Sequence, residues 1–222
     1  MGLSPDPGAV GLPRLKVRIE ALSDLVFGLA LSLGSIVLVQ RLPQSSADLE
    51  GDIFLFGFSF LIIVGIWLGY TRIIGILPVE TSVTLILNLV LLFCVALEPF
   101  LLYTQFRTID PAFLDFSTAA FALDTGAMMG LLSGMMLILL REEKLGVAHR
   151  LRASAVRSFK ISMIAQAIGA ALFLVSVSDV FWIQIPGLGY LRFILWYAAL
   201  GTFFASRGFA RKGVEGNVAS RP

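Results

Sequence analysis

Residues 18–40 read RIEALSDLVFGLALSLGSIVLVQ, and their reading decides what kind of chain this is. Arg18, Glu20 and Asp24 crowd the start; from Leu25 to Val39 no charge occurs, and the polar interruptions are Ser32, Ser35 and two glycines. An α-helix rises ~1.5 Å per residue, so an apolar run of about 20 residues crosses a ~30 Å hydrocarbon layer. The run from 22 to 41 meets that length, and comparable runs recur at 53–74, 80–104, 116–140, 158–178 and 187–206. Hydrophobic residues make up 57% of the 222 and charged ones 14%, with a mean hydropathy of +0.89. That balance exceeds what a soluble core of this size requires. The expectation is an all-α integral membrane protein with six transmembrane helices.

The first run is too long for a signal peptide, lacks a small-residue cleavage site and is followed at once by another span, so it is expected to stay in the mature chain. Residues 1–13 are rich in Gly and Pro and read as a disordered N-terminus. Residues 14–207 read as one six-helix transmembrane domain and 208–222 as a cytoplasmic tail. No internal repeat or soluble domain stands out.

Fourteen of the 17 basic residues fall on one side of this arrangement: before the first helix, at Arg72, through the connection 141–160, and after the last helix. Only Arg41, Arg107 and Arg192 fall toward the other. Because positive charge is retained on the cytoplasmic side, both termini are expected to be cytoplasmic. The basic excess is therefore a topology signal and gives no nucleic-acid surface. The connection REEKLGVAHRLRASAVRS at 141–158 reads either as a marker of the inner side or as a basic extension on anionic headgroups. On the outer side Asp48, Glu50, Asp52, Asp110 and Asp179 meet few bases. They form either an acidic mouth that concentrates cations or the residue of a rule that excludes bases.

Chemistry-bearing motifs are missing from the sequence. There is no phosphate-cradling Gly loop, nucleophile elbow, His/Glu pair at metal spacing or dinucleotide fingerprint, so neither an enzyme, a metal centre nor a cofactor is expected. Cys94 has no partner for a disulfide, and His149 lacks the neighbours a metal site needs. The segment PGLGYLRF at 186–193 lacks the hydroxyl and valine positions of a potassium-channel filter and is taken as the opening of the last helix.

On a wheel of the first helix Leu22, Leu25, Leu29, Ser32, Ile36 and Gln40 lie on one stripe. Gly28, Gly34 and Ser35 lie off it and read as helix-packing residues. Asp24, a carboxylate at the inner end of the run, needs partners and is a functional candidate. A second intramembrane acid, Asp124, lies at a depth comparable to Arg192. The two read either as an ion pair or as a carboxyl that titrates independently.

Arg18, three residues, then Leu22, Ser23 and Asp24 closely resemble the R-x-x-x-F-S-D signature that opens the first helix of the transmembrane protein 175 family of lysosomal and prokaryotic potassium channels. Leu22 stands where the family has Phe. Trp67 and Arg72 in the second helix, Asn88 in the third, and Pro99 with Phe100 near its outer end follow in the same order. The likeness covers roughly residues 14–104. It departs after Trp67, where Leu68, Gly69, Tyr70 and Thr71 replace the family's histidines.

The resemblance implies a six-helix subunit of a homotetramer, resembling single-repeat prokaryotic members in a cell membrane, whose first helices line the pore and which has no carbonyl filter loop. By position from Asp24 the pore residues would be Leu29, Ser32 and Ile36, which fall on the stripe already drawn. Four Leu29 side chains would close a hydrophobic gate, Ser32 would offer oxygens to a cation, and Ile36 would add a second apolar ring. Arg18, Leu22, Ser23, Asp24, Trp67 and Asn88 would form a clasp at the inner end, with Asp24 met by Ser23 or Trp67 and Asn88 bridging helices. The function expected is passive conduction of potassium in preference to other monovalent cations. The rival readings are a proton-coupled or other secondary cation transporter and a non-conducting scaffold.

Overall fold

The computed structural model describes residues 11–39, 44–77, 81–105, 110–144, 153–185 and 189–218. Among the described residues the chain forms six α-helices: α1 Gly11–Val39, α2 Ser46–Ile74, α3 Ser82–Gln105, α4 Pro111–Lys144, α5 Ala153–Val175 and α6 Leu191–Val218. Regular helix is what an apolar run in lipid must adopt, since every backbone N–H and C=O has to be satisfied within the segment. Gln40, Arg41, Arg107, His149, residues 145–152 of the 141–158 connection and residues 1–10 of the expected disordered segment lie outside the described residues.

Five helices are long and apolar enough to cross a membrane, the corresponding segments being Lys16–Ile36, Asp48–Ile74, Ser82–Gln105, Ala112–Arg141 and Ala155–Val175. The apolar part of α6, Leu191–Ser206, is shorter. Local chemistry sets the helix starts. Ser45 Oγ accepts from the Asp48 amide at 3.1 Å at the head of α2, and Asp110 Oδ1 accepts from the Ala112 amide at 3.1 Å with Pro111 as the first helical residue of α4. Caps of this kind satisfy donors that have no intrahelical partner. Two of the five outer acids, Asp48 and Asp110, are thus engaged at helix starts.

α4 packs on α3 and α5, α5 on α6, and α1 on α3 and α2. Glycines permit two of the closest approaches: a Cβ at Gly65 would sit 2.6 Å from the Phe203 ring, and one at Gly169 would sit 2.7 Å from Met129 Sδ. Phe58, Phe121, Phe173, Phe193 and Trp196 form a ring cluster where α2, α4, α5 and α6 meet. α4 runs unbroken past Gly130 and Gly134, where added Cβ atoms would meet open space. α3 also continues through Pro99, although proline removes one rung of the helix ladder.

The α5–α6 connection departs from the sequence expectation. A 3-10 turn, Asp179–Trp182, leads into a two-stranded antiparallel ribbon pairing Gln184 with Tyr190 and Ile185 with Gly189, and α6 starts only at Leu191. Arg192 anchors this connection. Its guanidinium, fully buried, reaches Asp115 Oδ1 at 3.0 Å, Thr118 Oγ1 at 2.6 Å and the Val177 carbonyl at 3.4 Å, and it lies 4.3 Å over the Trp182 ring. Trp182 Nε1 also donates to Asp115.

The expected Asp124–Arg192 pair is therefore corrected to Asp115–Arg192. The physical reason is depth. Asp124 lies nine positions further along α4, about 14 Å at helical rise, whereas Asp115 sits in the opening turns of α4 beside the opening turn of α6. Removing Asp115 leaves a buried guanidinium without its carboxylate. Asp115→Ala should lower stability by about 2 kcal/mol, and by less in an Arg192→Gln background. Thermal unfolding of the detergent-solubilised protein measures this; equal effects in both backgrounds would show that the two residues act separately.

Candidate functional site

α1 is held by the rest of the chain along one stripe. Ile19, Ser23, Phe27 and Ala30 are buried at spacings of 4, 4 and 3, the repeat of a single helix face. At 100° per residue, Leu25, Leu29, Ser32 and Ile36 centre about 150° round from Ser23. Leu29 is 56% and Ile36 49% exposed in the subunit, and Ser32 is exposed with them. The structure thus brings Leu29, Ser32 and Ile36 onto the free side of α1, with Leu22 at 45% exposure on its flank.

The hydroxyls of this helix are already oriented. Ser32 Oγ donates its proton to the Gly28 carbonyl at 2.8 Å, and Ser35 Oγ to the Ser32 carbonyl at 2.7 Å. With its proton engaged along the helix, the Ser32 oxygen presents acceptor lone pairs outward. The packing expected of Gly28 and Ser35 does not occur within the subunit. A Cβ at Gly28 would meet nothing within 4 Å and Ser35 is exposed, while Gly34 alone of the three lies against a neighbour, Phe56 on α2.

At the N-terminal end of α1 the contacts with α2 follow an antiparallel register. Lys16 Nζ donates to the Gly75 carbonyl at 2.8 Å, Ser23 Oγ and Tyr70 Oη lie 2.6 Å apart, and Trp67 Nε1 donates to Asp24 Oδ1 at 3.1 Å. The expected clasp is thereby redrawn. Asp24 is met by Trp67, Ser23 by Tyr70, and Arg18 is exposed with no hydrogen bond among the described residues. Asn88 is buried beside Tyr70, and its amide atoms close no hydrogen bond. The sequence gives no local signal for the role of Tyr70, because its partner lies 47 positions away.

A second polar group lies inside the subunit. Glu98 on α3 is fully buried; its Oε2 accepts from Ser59 on α2 at 2.8 Å, and its Oε1 has no partner. Asp124 on α4 lies beside the Cys94 thiol of α3. The signal that could have found Glu98 was available, since any acid inside an apolar span is a candidate. No cluster of His, Cys, Asp and Glu among the described residues is arranged to hold a metal ion.

With this geometry in view, the comparisons with known proteins can be placed. The family model described as "Endosomal/lysosomal potassium channel TMEM175" matches residues 18–99, which run from α1 into α3 and contain the Ser23–Tyr70 and Asp24–Trp67 contacts. The fold is similar to a crystal structure of a lysosomal potassium-selective channel TMEM175 homolog from Chamaesiphon minutus, with 20% identity, a TM-score of 0.57, and 90% of this chain and 98% of that one covered. It is similar also to a crystal structure of a variant of the potassium channel MtTMEM175 in complex with a Nanobody-MBP fusion protein, with 20% identity, a TM-score of 0.53, and 92% and 94% covered. No curated protein matches the chain. The resemblance to the transmembrane protein 175 family is thus shown in sequence over the first three helices, and the fold of nearly the whole chain is shared with its bacterial channels. The chain is a multi-pass integral membrane protein.

Ser59 is the sole hydrogen-bond donor to Glu98 among the described residues. Ser59→Ala should lower stability by about 1–3 kcal/mol because a buried carboxyl loses its partner. Glu98→Gln, which keeps an acceptor, should cost less. Thermal unfolding in detergent checks the order, and a larger loss in Glu98→Gln would refute it.

Proposed function

We propose that this chain is the subunit of a potassium-preferring cation channel, a homotetramer that conducts passively through a central pore lined by α1 from each copy. α6 is counted as the sixth span, its 16-residue apolar part accommodated by local thinning of the bilayer, and both termini are cytoplasmic. Rings of Leu29 and Ile36 form the hydrophobic constriction, which opposes ions through dewetting and lost hydration. The Ser32 ring lies between them and supplies oxygens to a partly dehydrated cation.

The observation that carries this reading is the position of Leu25, Leu29, Ser32 and Ile36, exposed nearly opposite the narrow face by which α1 is held. That face is free for the first helices of other copies. Likeness to potassium channels supplies the ion. A carrier reading draws on the buried acids Glu98 and Asp124. It is disfavoured because α1 to α5 are each continuous, whereas carriers build their sites from broken helices at mid-membrane.

The test is ion flux from liposomes containing wild type, Leu29→Ala or Ser32→Ala. Leu29→Ala should raise potassium flux about tenfold, equivalent to ~1.4 kcal/mol off the barrier. Ser32→Ala should lower the preference for potassium over sodium. Unchanged flux and preference in both variants would remove the pore from α1, and a particle other than four copies would remove the tetramer. Asp24→Ala should reduce flux by freeing the inner end of α1; wild-type flux in that variant would take Asp24 out of the mechanism.

A further inference from the structure

The contacts that hold α1 differ in kind. Ile19, Phe27 and Ala30 are apolar, and dispersion contacts are non-directional, so they resist separation far better than a small roll of the helix about its axis. The directional contacts are the hydrogen bonds at Lys16, Ser23 and Asp24. Lys16 to Gly75 and Asp24 to Trp67 are both exposed, where competition with water or headgroups weakens them. The bond between Ser23 and Tyr70 is buried, with Ser23 at 0% and Tyr70 at 1% exposure.

Its polarity follows from proton bookkeeping. The Ser23 hydroxyl has one hydrogen, which goes to the Ile19 carbonyl at 2.8 Å. Ser23 can therefore only accept from Tyr70, whose phenol is the donor. The phenol is itself held, its ring 5.6 Å from Phe27 and its hydroxyl beside the Asn88 side chain. The phenol thus ties α1 to α2 at a dry point, with the Asn88 side chain of α3 beside it.

The geometry points to Tyr70 as the positioning residue that sets the rotation of α1, and through it the aim of Leu29, Ser32 and Ile36 into the pore. This rests on the pore reading above. Side-chain tips lie ~5–6 Å from a helix axis, so a roll of about 10° moves the stripe about 1 Å. Symmetry would repeat that shift in every copy.

Tyr70→Phe is the informative variant, because it removes the donor while keeping the ring and its contact with Phe27. Tyr70→Phe, Ser23→Ala, the double variant and Leu29→Ala would be reconstituted from tetramer fractions of equal yield, and potassium and sodium flux measured in each. Tyr70→Phe should change the flux ratio about fivefold, the scale of one net hydrogen bond, with assembly and unfolding temperature close to wild type. Ser23→Ala should change it similarly, and the double variant should be no worse than either single one. An unchanged ratio in Tyr70→Phe while Leu29→Ala alters flux overturns the role of Tyr70 and leaves the pore standing. Additive effects in the double variant overturn it too. No effect of Leu29→Ala overturns the pore reading and this inference together.

Discussion

α1 touches the rest of its subunit along a single face, Ile19, Ser23, Phe27 and Ala30, and the remaining architecture is organised around that constraint. In water, a helix with Leu25, Leu29 and Ile36 exposed would be driven to bury them. In a bilayer no such force acts between helices, because lipid tails are as apolar as leucine, so small packing differences and a few polar contacts determine where a helix rests. The weight therefore falls on the antiparallel register with α2, where Gly75, Tyr70 and Trp67 meet Lys16, Ser23 and Asp24. A face that is free in the subunit and opposite the held face is what a helix shared between copies requires.

The remainder of the chain supplies a firm mass behind it. α3 to α6 pack in succession through apolar side chains and the ring cluster of Phe58, Phe121, Phe173, Phe193 and Trp196. Polar groups inside this mass are handled locally. Arg192 collects Asp115, Thr118, the Val177 carbonyl and the Trp182 face, while Glu98 takes the Ser59 hydroxyl. Each arrangement ties two or more elements at one depth. Arg192 thereby fixes how the short ribbon returns the chain from α5 into α6.

Much of this was legible in the residues. The run at 80–104 matches α3 closely, and those at 53–74 and 116–140 lie within the longer α2 and α4, because a span announces itself by length and apolarity alone. The free stripe of α1 was also legible, since its 4, 3 and 4 spacing is a property of the helix itself. Partners were harder to read. Asp124 was one candidate mate for Arg192 by depth in the hydropathy profile, yet Asp115, outside the apolar run, is nearer once α4 is seen to begin at Pro111. Asp24 was left with Ser23 or Trp67 as its partner, and the structure takes Trp67: adjacent residues on a helix point about 100° apart, so Ser23 and Asp24 turn to different residues of α2. Tyr70 carried no local pattern that separated it from the residues around it, whereas Glu98 was marked as an acid inside an apolar span and only its partner was hidden.

The sequence by itself determined that the chain is an all-α membrane protein, where its spans lie, and that Leu29, Ser32 and Ile36 share one side of the first helix. These follow from periodicity and the cost of placing unpaired backbone or charge in oil, both of which act within a few turns. The tertiary structure alone decided which side of α1 is held, that Tyr70 donates to Ser23, that Arg192 pairs with Asp115, and that Glu98 meets Ser59. Those outcomes depend on how helices dozens of residues apart settle in depth and rotation. That is set by the fit of Gly65 to Phe203 and Gly169 to Met129 and by the other contacts between elements, none of which is encoded within any single segment.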